Sequence, residues 1–399
     1  MTTVTVRLFA ALRDLAGDSR VEAEGETVGQ VVTALSARYG ERFAKVARAG
    51  SVVVDGERAS EDHALTGHEE VALLPPVSGG ESGAHPRAAI LAPPMRMFER
   101  VLLVVNPVAR TVSRPTLAVI EKALSADFKL EVLETAERGH ATEVAAEAAA
   151  DGLDLVVVFS GDGTINEAVN GLAGTEVALG VLPGGATNIL VRALGMPLDP
   201  VEATGVLIAK ALDGEARRLH LGVADGRYFA VNCGAGVDAA AMARLESKFP
   251  RTKRAFERAA FRAVAREVIA SYAGRIPDLT VSIDGGAPVP SISVMIGRTD
   301  PYTYYKGRGV HVTPEASLDE GLDVFSARKL PRRRVLRIAW QMFGSARHVK
   351  GRDMDYWHDA SRVEVNSDRP FPVQVDGDVL GDRSSLSVGL ALDALWVVA

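Results

Sequence analysis

Ser160-Gly161-Asp162-Gly163-Thr164-Ile165-Asn166-Glu167, followed by Leu182-Pro183-Gly184-Gly185-Ala186-Thr187-Asn188, are the two turns that decide the reading of this 399-residue chain. Each follows an apolar run, residues 155–159 and 177–182, and each precedes an amphipathic stretch, so each marks a strand handing over to a helix. Such a place suits a phosphate. Glycine lets the backbone approach an anion, the free amides of a helix start point at it, and Thr164 and Asn166 add side-chain donors. A GDG turn alone is a common connector, but a second glycine turn one strand later and an Asp at the tip of the first point to a nucleotide. Rival designs are missing: the chain has no GxxxxGK[ST] and no GxGxxG opening a βαβ unit.

Outward from these turns, strand and helix patterns alternate: strand 100–105, helix 114–126, strand 129–134, helix 141–151, then the two turns with their strands and helices. This spacing predicts a parallel sheet with helices on both faces, whose ligands sit at the carboxyl ends of the strands. Asn106, Thr135 and both glycine turns fall at such ends. From about His220 the texture changes to short strands at 228–231, 279–283, 291–296, 322–327, 363–366, 373–375 and 385–388, which predicts a β-sandwich.

The motifs resemble the lipid kinases related to diacylglycerol kinase, whose relatives include sphingoid-base kinases and, more distantly, NAD kinases. Val104-Val105-Asn106-Pro107, Gly139-His140-Ala141, GDGTINE and PGGATN carry the likeness, which spans residue 98 to the C-terminus. It implies an α/β nucleotide-binding domain (98–220), a β-sandwich domain (221–399), and ATP and Mg2+ as cofactors. The expected nucleotide contacts are Asn106, Pro107, Arg110, Thr135, Ser160, Gly161, Asp162, Gly163, Thr164, Asn166, Gly184, Gly185, Thr187 and Asn188. Asp162 is the carboxylate near the phosphates, expected to hold magnesium through water or else to order the glycine turn. The proton acceptor should come from Val375-Asp376-Gly377-Asp378, where the family has Asp-Gly-Glu; Asp378 takes that role and Asp376 supports it. Asp for Glu shortens the reach by about 1.5 Å. The likeness further implies a structural cation, Mg2+ or Ca2+, at Ser317, Glu320 and Leu322, with Glu320 standing where the family has Asp. The family's Asn-Pro-x-Ser-Gly turn is Asn106-Pro107-Val108-Ala109-Arg110 here; the glycine is lost, and Arg110 offers a charge to a phosphate.

Residues 1–80 read as a separate unit: strand 4–9, helix 27–39, strand 51–54 and strand 70–74, closing on Pro75-Pro76-Val77-Ser78-Gly79-Gly80. The order looks like a ubiquitin-like β-grasp. The opening Val6-Arg7-Leu8-Phe9-Ala10 and the Gly79-Gly80 ending resemble the sulfur-carrier family typified by the small subunit of molybdopterin synthase. That family implies an adenylating or molybdopterin-synthase-type partner acting on a glycine carboxylate, yet here the chain runs on past Gly80. Residues 81–97, rich in Ala, Gly and Pro, are expected to be a flexible linker, and three readings stay open: cleavage after Gly80, a unit turned docking module, or halves made separately with Met95 or Met97 as an internal start.

Composition bounds the rest. With 47% hydrophobic content the chain holds several cores, and charges interrupt every apolar run before the roughly 18 residues of a membrane span. Charged residues among the first positions spoil a signal-peptide core and Cys233 is the only cysteine, so a cytoplasmic location is expected. A net charge of −6 argues against a general nucleic-acid binder. Two basic segments stand apart, one between Lys248 and Arg275, the other at Arg328, Lys329, Arg332, Arg333, Arg334 and Arg337. Basic amphipathic segments suit an anionic membrane surface, so a peripheral association at the inner face is expected as one reading, and a solvated helix packed on the sandwich is the other. The expected fold class is thus multidomain, α+β and α/β: β-grasp, α/β domain with a parallel sheet, β-sandwich. The expected function is an ATP-dependent lipid kinase with a lipid acceptor such as diacylglycerol. The alternatives are a catalytically weakened nucleotide-binding scaffold or a kinase for a soluble acceptor such as NAD. The sequence leaves the oligomeric state open.

Overall fold

The strand Leu155–Ser160 is buried at every position, and the rest of the larger unit is laid down around it. The computed structural model describes residues 3–8, 12, 15–16, 20–40, 42–44, 47, 51–54, 57–60, 62–67, 70–74, 96–248, 271–305 and 307–399. The chain divides into two units, Met1–Leu91 and Ala92–Ala399.

In the first unit the sheet runs Arg20–Glu24, Thr3–Leu8, Glu70–Leu74, Ser51–Val54, Glu57–Ala59, with the first and last long strands of the unit parallel (Val6 opposite Val71). Helix Val28–Tyr39 starts where the Thr27 side chain accepts from Gln30 N, and turns Val28, Val31 and Leu35 toward Val4, Val6, Val71 and Leu73. This is the expected β-grasp, with two strands added. Arg20–Glu24 and Glu57–Ala59 carry too many charges for their apolar alternation to stand out. Gly79, Gly80, Met95 and the expected linker up to residue 95 lie outside the described residues.

The second unit contains the parallel sheet Lys129–Glu134, Arg100–Val105, Leu155–Ser160, Ala178–Pro183. Its central strands are apolar throughout because helices cover both faces. Helix Arg114–Asp127 begins at Ser113, whose side chain accepts from Thr116 N, and buries Leu117, Ile120 and Leu124. Helices His140–Ala150 and Asp162–Leu172 pack on each other, with Thr142 Oγ1 donating to the Glu167 carbonyl at 2.9 Å.

A strand of 21 residues, Asp378–Val398, closes the unit. Its first part pairs with Arg362–Val375, its later part with Arg217–Ala224, and its end, Trp396–Val398, joins the parallel sheet beside Ala178. The C-terminus therefore completes the α/β sheet, and a boundary at residue 220 separates the two layers only in part: Leu395, Val397 and Val398 share one core with Leu103 and Val157. The remaining strands, among them Asn232–Ala235, Ser293–Gly297, Leu322–Ala327 and Met354–Ala360, form the antiparallel sandwich around Val324, Val363 and Val373. The stretches 363–366 and 373–375 prove to be one strand, interrupted by a register shift between Asn366 and Phe371. Among the described residues no helix is long and apolar enough to cross a membrane.

If the last strand holds both layers together, Leu395→Ala should destabilise the protein by about 2–5 kcal/mol in urea unfolding followed by tryptophan emission. Loss of one layer before the other, or no loss at all, would contradict the shared core.

Candidate functional site

The two glycine turns meet backbone to backbone. A Cβ built on Gly184 would stand 2.6 Å from Ser160 Cα, and one on Gly185 would stand 2.7 Å from Gly161 Cα. Neither separation is open to a residue with a side chain, so these glycines serve the docking of one turn on the other before any ligand arrives. Asp162 fastens the pair: its Oδ2 accepts from Thr187 Oγ1 at 2.7 Å and its Oδ1 from Ile189 N at 2.6 Å. Burial raises its pKa, while Thr187 and the amides around Ile189 pull the other way. These bonds are what the turn-ordering role expected for Asp162 requires, and Asp162 also lines the cavity beside the turns. Asn188 clips the second turn, accepting from Gly185 N at 2.8 Å and donating to Gly185 O at 3.3 Å.

Beside the turns lies a cavity of about 1240 Å³ at the carboxyl ends of the strands. Its wall includes Asn106, Pro107, Arg110, Thr135, Ser160, Gly161, Asp162, Gly163, Thr164 and Gly185 from the expected set, and also Asp378. Helix Asp162–Leu172 starts at this wall with Gly161 as a cap that supplies no side chain, which leaves the amides of Gly163 and Thr164 for a ligand. Asn106 Nδ2 donates to Thr164 Oγ1 at 3.0 Å, and Thr111 N donates to Gly184 O at 3.0 Å, so the Asn106 turn is tied to both glycine turns. Gly184, Thr187 and Asn188 brace the cavity without lining it.

Asn166 departs from expectation. It is buried and faces the sandwich: Nδ2 donates to Asp376 Oδ2 (2.7 Å) and to Tyr228 O (3.1 Å), and Oδ1 accepts from Arg227 Nη2 (3.0 Å). Two residues past Thr164 on a helix, it points away from the cavity. Its partner Asp376 adopts φ +46° at the hairpin tip. Asp376 Oδ1 accepts from Val231 N (3.0 Å) and Asn232 N (2.7 Å), and Oδ2 also accepts from Ala230 N (3.0 Å). Burial pushes its carboxyl up to about 6 against the pull of these donors. These contacts fix the hairpin that carries Asp378.

Asp378, 3% exposed, sits two residues on. Its Oδ2 accepts from Arg227 Nη2 at 2.6 Å and its Oδ1 pairs with Arg138 Nη2 at 3.0 Å. The sequence reading missed both arginines. Arg138 lies between Thr135 and Gly139, both singled out, and a charged side chain in a strand-end loop was the available signal. Nothing local marks Arg227, whose role follows only from the long-range pairing of Arg217–Ala224 with the last strand.

The acidic loop expected to hold a structural cation is filled by an arginine. Arg298, fully buried, donates through Nη1 to the carbonyls of Glu320 and Gly321, and through Nη2 to those of Leu318 (2.6 Å) and His220 (3.1 Å). Burial lowers its pKa to about 10, with Asp323 and Asp319 opposing the shift, so it carries its charge at neutral pH. Ser317 O accepts from Glu320 N (3.3 Å), Leu322 is taken into a strand, and the Glu320 carboxylate turns to His358 Nε2 at 3.6 Å. Arg298 takes the carbonyls of Leu318, Glu320 and Gly321 but not those of Ser317 and Leu322, and the Glu320 carboxylate faces His358, so a guanidinium supplies positive charge within the loop where Ser317, Glu320 and Leu322 are expected to hold a cation.

Two outcomes follow from this geometry. Gly184→Ala should cost about 1–3 kcal/mol in thermal or urea unfolding and loosen the cavity wall, and a neutral result would mean that the turns do not meet. Dialysis against a chelator should leave the melting temperature unchanged, whereas Arg298→Ala should lower stability by about 3 kcal/mol or more; a melting point that falls on chelation would restore the metal.

Comparisons with known proteins agree with this geometry. Residues 100–223 match the diacylglycerol kinase catalytic domain, residues 231–396 the YegS C-terminal NAD kinase beta sandwich-like domain, and residues 6–80 the ThiS family. A diacylglycerol kinase of Bacillus subtilis (strain 168) is 29% identical over 290 residues, 71% of this chain and 91% of the relative. A probable lipid kinase YegS-like protein of Chromohalobacter salexigens is 36% identical over 121 residues, 29% of this chain and 37% of the relative. In fold, a solved structure of a candidate diacylglycerol kinase from Bacillus anthracis superposes with a TM-score of 0.62 at 23% identity, covering 77% of this chain and 98% of that one. The chain thus carries a ThiS-family match ahead of a diacylglycerol kinase catalytic domain match and a YegS-type sandwich match, and proteins named diacylglycerol kinase are among its relatives.

Proposed function

We propose that the larger unit transfers the γ-phosphate of ATP to the hydroxyl of diacylglycerol or a related lipid. The observation that carries this reading is the presence of Asp378 in the wall of the cavity formed by the GDGT helix start and the Asn106 turn. Phosphoryl transfer needs placement, charge neutralisation and an acceptor for the hydroxyl proton. The amides of Gly163 and Thr164 and the charge of Arg110 meet the phosphates, and magnesium arrives with the nucleotide. Asp378 takes the proton of the attacking hydroxyl. Arg138, whose side chain is 55% exposed and whose second ion pair, to Glu246, is a loose 4.0 Å, is the arginine that swings from Asp378 toward the transferred phosphate, whereas Arg227 is also hydrogen-bonded to Asn166 at 3.0 Å. The Asp378 carboxylate would then lose its ion pair with Arg138 as the acceptor enters.

A second reading, phosphorylation of NAD, draws support from the sandwich match to an NAD kinase-like domain. For the first unit we propose a sulfur-carrier role, with Gly79-Gly80 as the end that an adenylating or molybdopterin-synthase-type partner would recognise.

Labelled ATP offered with diacylglycerol, a sphingoid base and NAD in parallel separates these readings. Label should pass to the lipid, and Asp378→Asn should lower kcat by about 10²- to 10⁴-fold with the KM for ATP little changed and the melting temperature kept. Transfer to NAD alone would replace the acceptor, and undiminished turnover by the variant would remove Asp378 from the chemistry.

A further inference from the structure

Residues 328–352 contain nine Lys and Arg and not one Asp or Glu, in a chain whose net charge is −6. Within that stretch lies the helix Val335–Met342. Its inner face buries Ile338 against Val310, Phe325 and Met354. Its outer face carries Leu336 and Trp340, one turn apart and 76% and 73% exposed. A large aromatic and a leucine standing in water side by side are not explained by packing within the unit.

Charge surrounds this apolar pair. Arg337 is exposed between Leu336 and Trp340 in sequence, and Arg333 is exposed in the turn leading into the helix. The short helix Arg347–Lys350 packs against the same element and exposes Arg347 and Lys350. Nearby acids are already paired, Asp353 with Arg334 at 3.0 Å and Asp355 with Arg328 at 3.0 Å. Among the described residues no ion-pair partner is found for Arg333, Arg337, Arg347 or Lys350.

We infer that the face bearing Leu336 and Trp340, rimmed by Arg333, Arg337, Arg347 and Lys350, is a docking surface for an anionic lipid bilayer. Indole and leucine suit the headgroup boundary, and the arginines and lysine suit acidic headgroups just outside it. A nucleic acid would satisfy the charge but leaves the leucine without a role, and an acidic protein is the other outcome that the test below separates. This surface deepens the lipid-acceptor reading, since it delivers the kinase unit to the phase that holds its substrate. It stands or falls separately, because partition onto vesicles needs neither nucleotide nor turnover.

The test is co-sedimentation of the full chain with vesicles of phosphatidylcholine alone and with about one-third phosphatidylglycerol, at low and high salt. Binding should require the anionic lipid, weaken with salt, and fall at least about tenfold in Trp340→Ser and in Arg333→Glu/Arg337→Glu, with melting temperatures unchanged. A short-chain diacylglycerol in free solution should be phosphorylated by Trp340→Ser at the parent rate, and the same headgroup in vesicles at least about tenfold more slowly. Equal binding to neutral vesicles, parental binding by the variants, or preference for a DNA duplex or polyglutamate over the vesicles would overturn the assignment. Retained partition with no lipid turnover would uphold the surface and remove the acceptor proposed above.

Discussion

One carboxylate joins the parts of the kinase unit that must act together. Asp376 takes four hydrogen bonds, three from consecutive backbone amides at Ala230, Val231 and Asn232 and one from Asn166 on the GDGT helix. The α/β layer supplies one donor and the sandwich side supplies the others. A buried carboxylate is costly unless its oxygens are satisfied, so each donor constrains where the hairpin can sit. The hairpin in turn sets Asp378 in the cavity wall. Distance between the nucleotide cradle and the proposed base is thereby fixed by a contact that touches neither ligand.

The cradle is assembled by the same logic of close contact and satisfied polar groups. Glycine at 161, 184 and 185 lets two turns meet at distances that a side chain forbids, and Asp162 then pins one turn to the other. The amides that remain are those aimed at the cavity. Around the loop 317–322 the same demand is met by a cation of the protein's own: the Arg298 guanidinium gathers carbonyls that would otherwise be left unsatisfied. Arginines supply the positive charge at two places in this unit, Arg298 at the loop 317–322 and Arg138 and Arg227 around Asp378, while Asp162 and Asp376 are satisfied by neutral donors.

Much of this could be read from the chain, and the limits are physical. The strands Leu155–Ser160 and Ala178–Pro183 are short, buried throughout and followed by glycine turns, so they declare themselves; the helix 114–127 carries Ser113 and Pro115 at its start. Strand Arg20–Glu24 does alternate, with Val21 and Ala23 buried, but two small apolar residues among three charges make a faint signal, and the three residues of Glu57–Ala59 are too few to show a period. The return of Trp396–Val398 to the first sheet is a topological fact with no sequence signature. At the site, motif reading assembled the cavity wall but treated Asp162, Thr164 and Asn166 of GDGTINE alike as ligand contacts and left out Glu167, which lines the cavity. Helical geometry divides them: Thr164 faces the cavity, Asn166 faces Asp376. Arg138, Arg227 and Arg298 escaped because an arginine has no required spacing and reaches its partners across the fold.

The most direct measurement of the central claim is a crystal structure of the chain with a non-hydrolysable ATP analogue and magnesium. The account predicts the triphosphate against the Gly163 and Thr164 amides, its terminal phosphate facing Asp378, and the Asp376 contacts unchanged. A nucleotide bound elsewhere, or a hairpin that leaves Asn166 when the nucleotide enters, would contradict it.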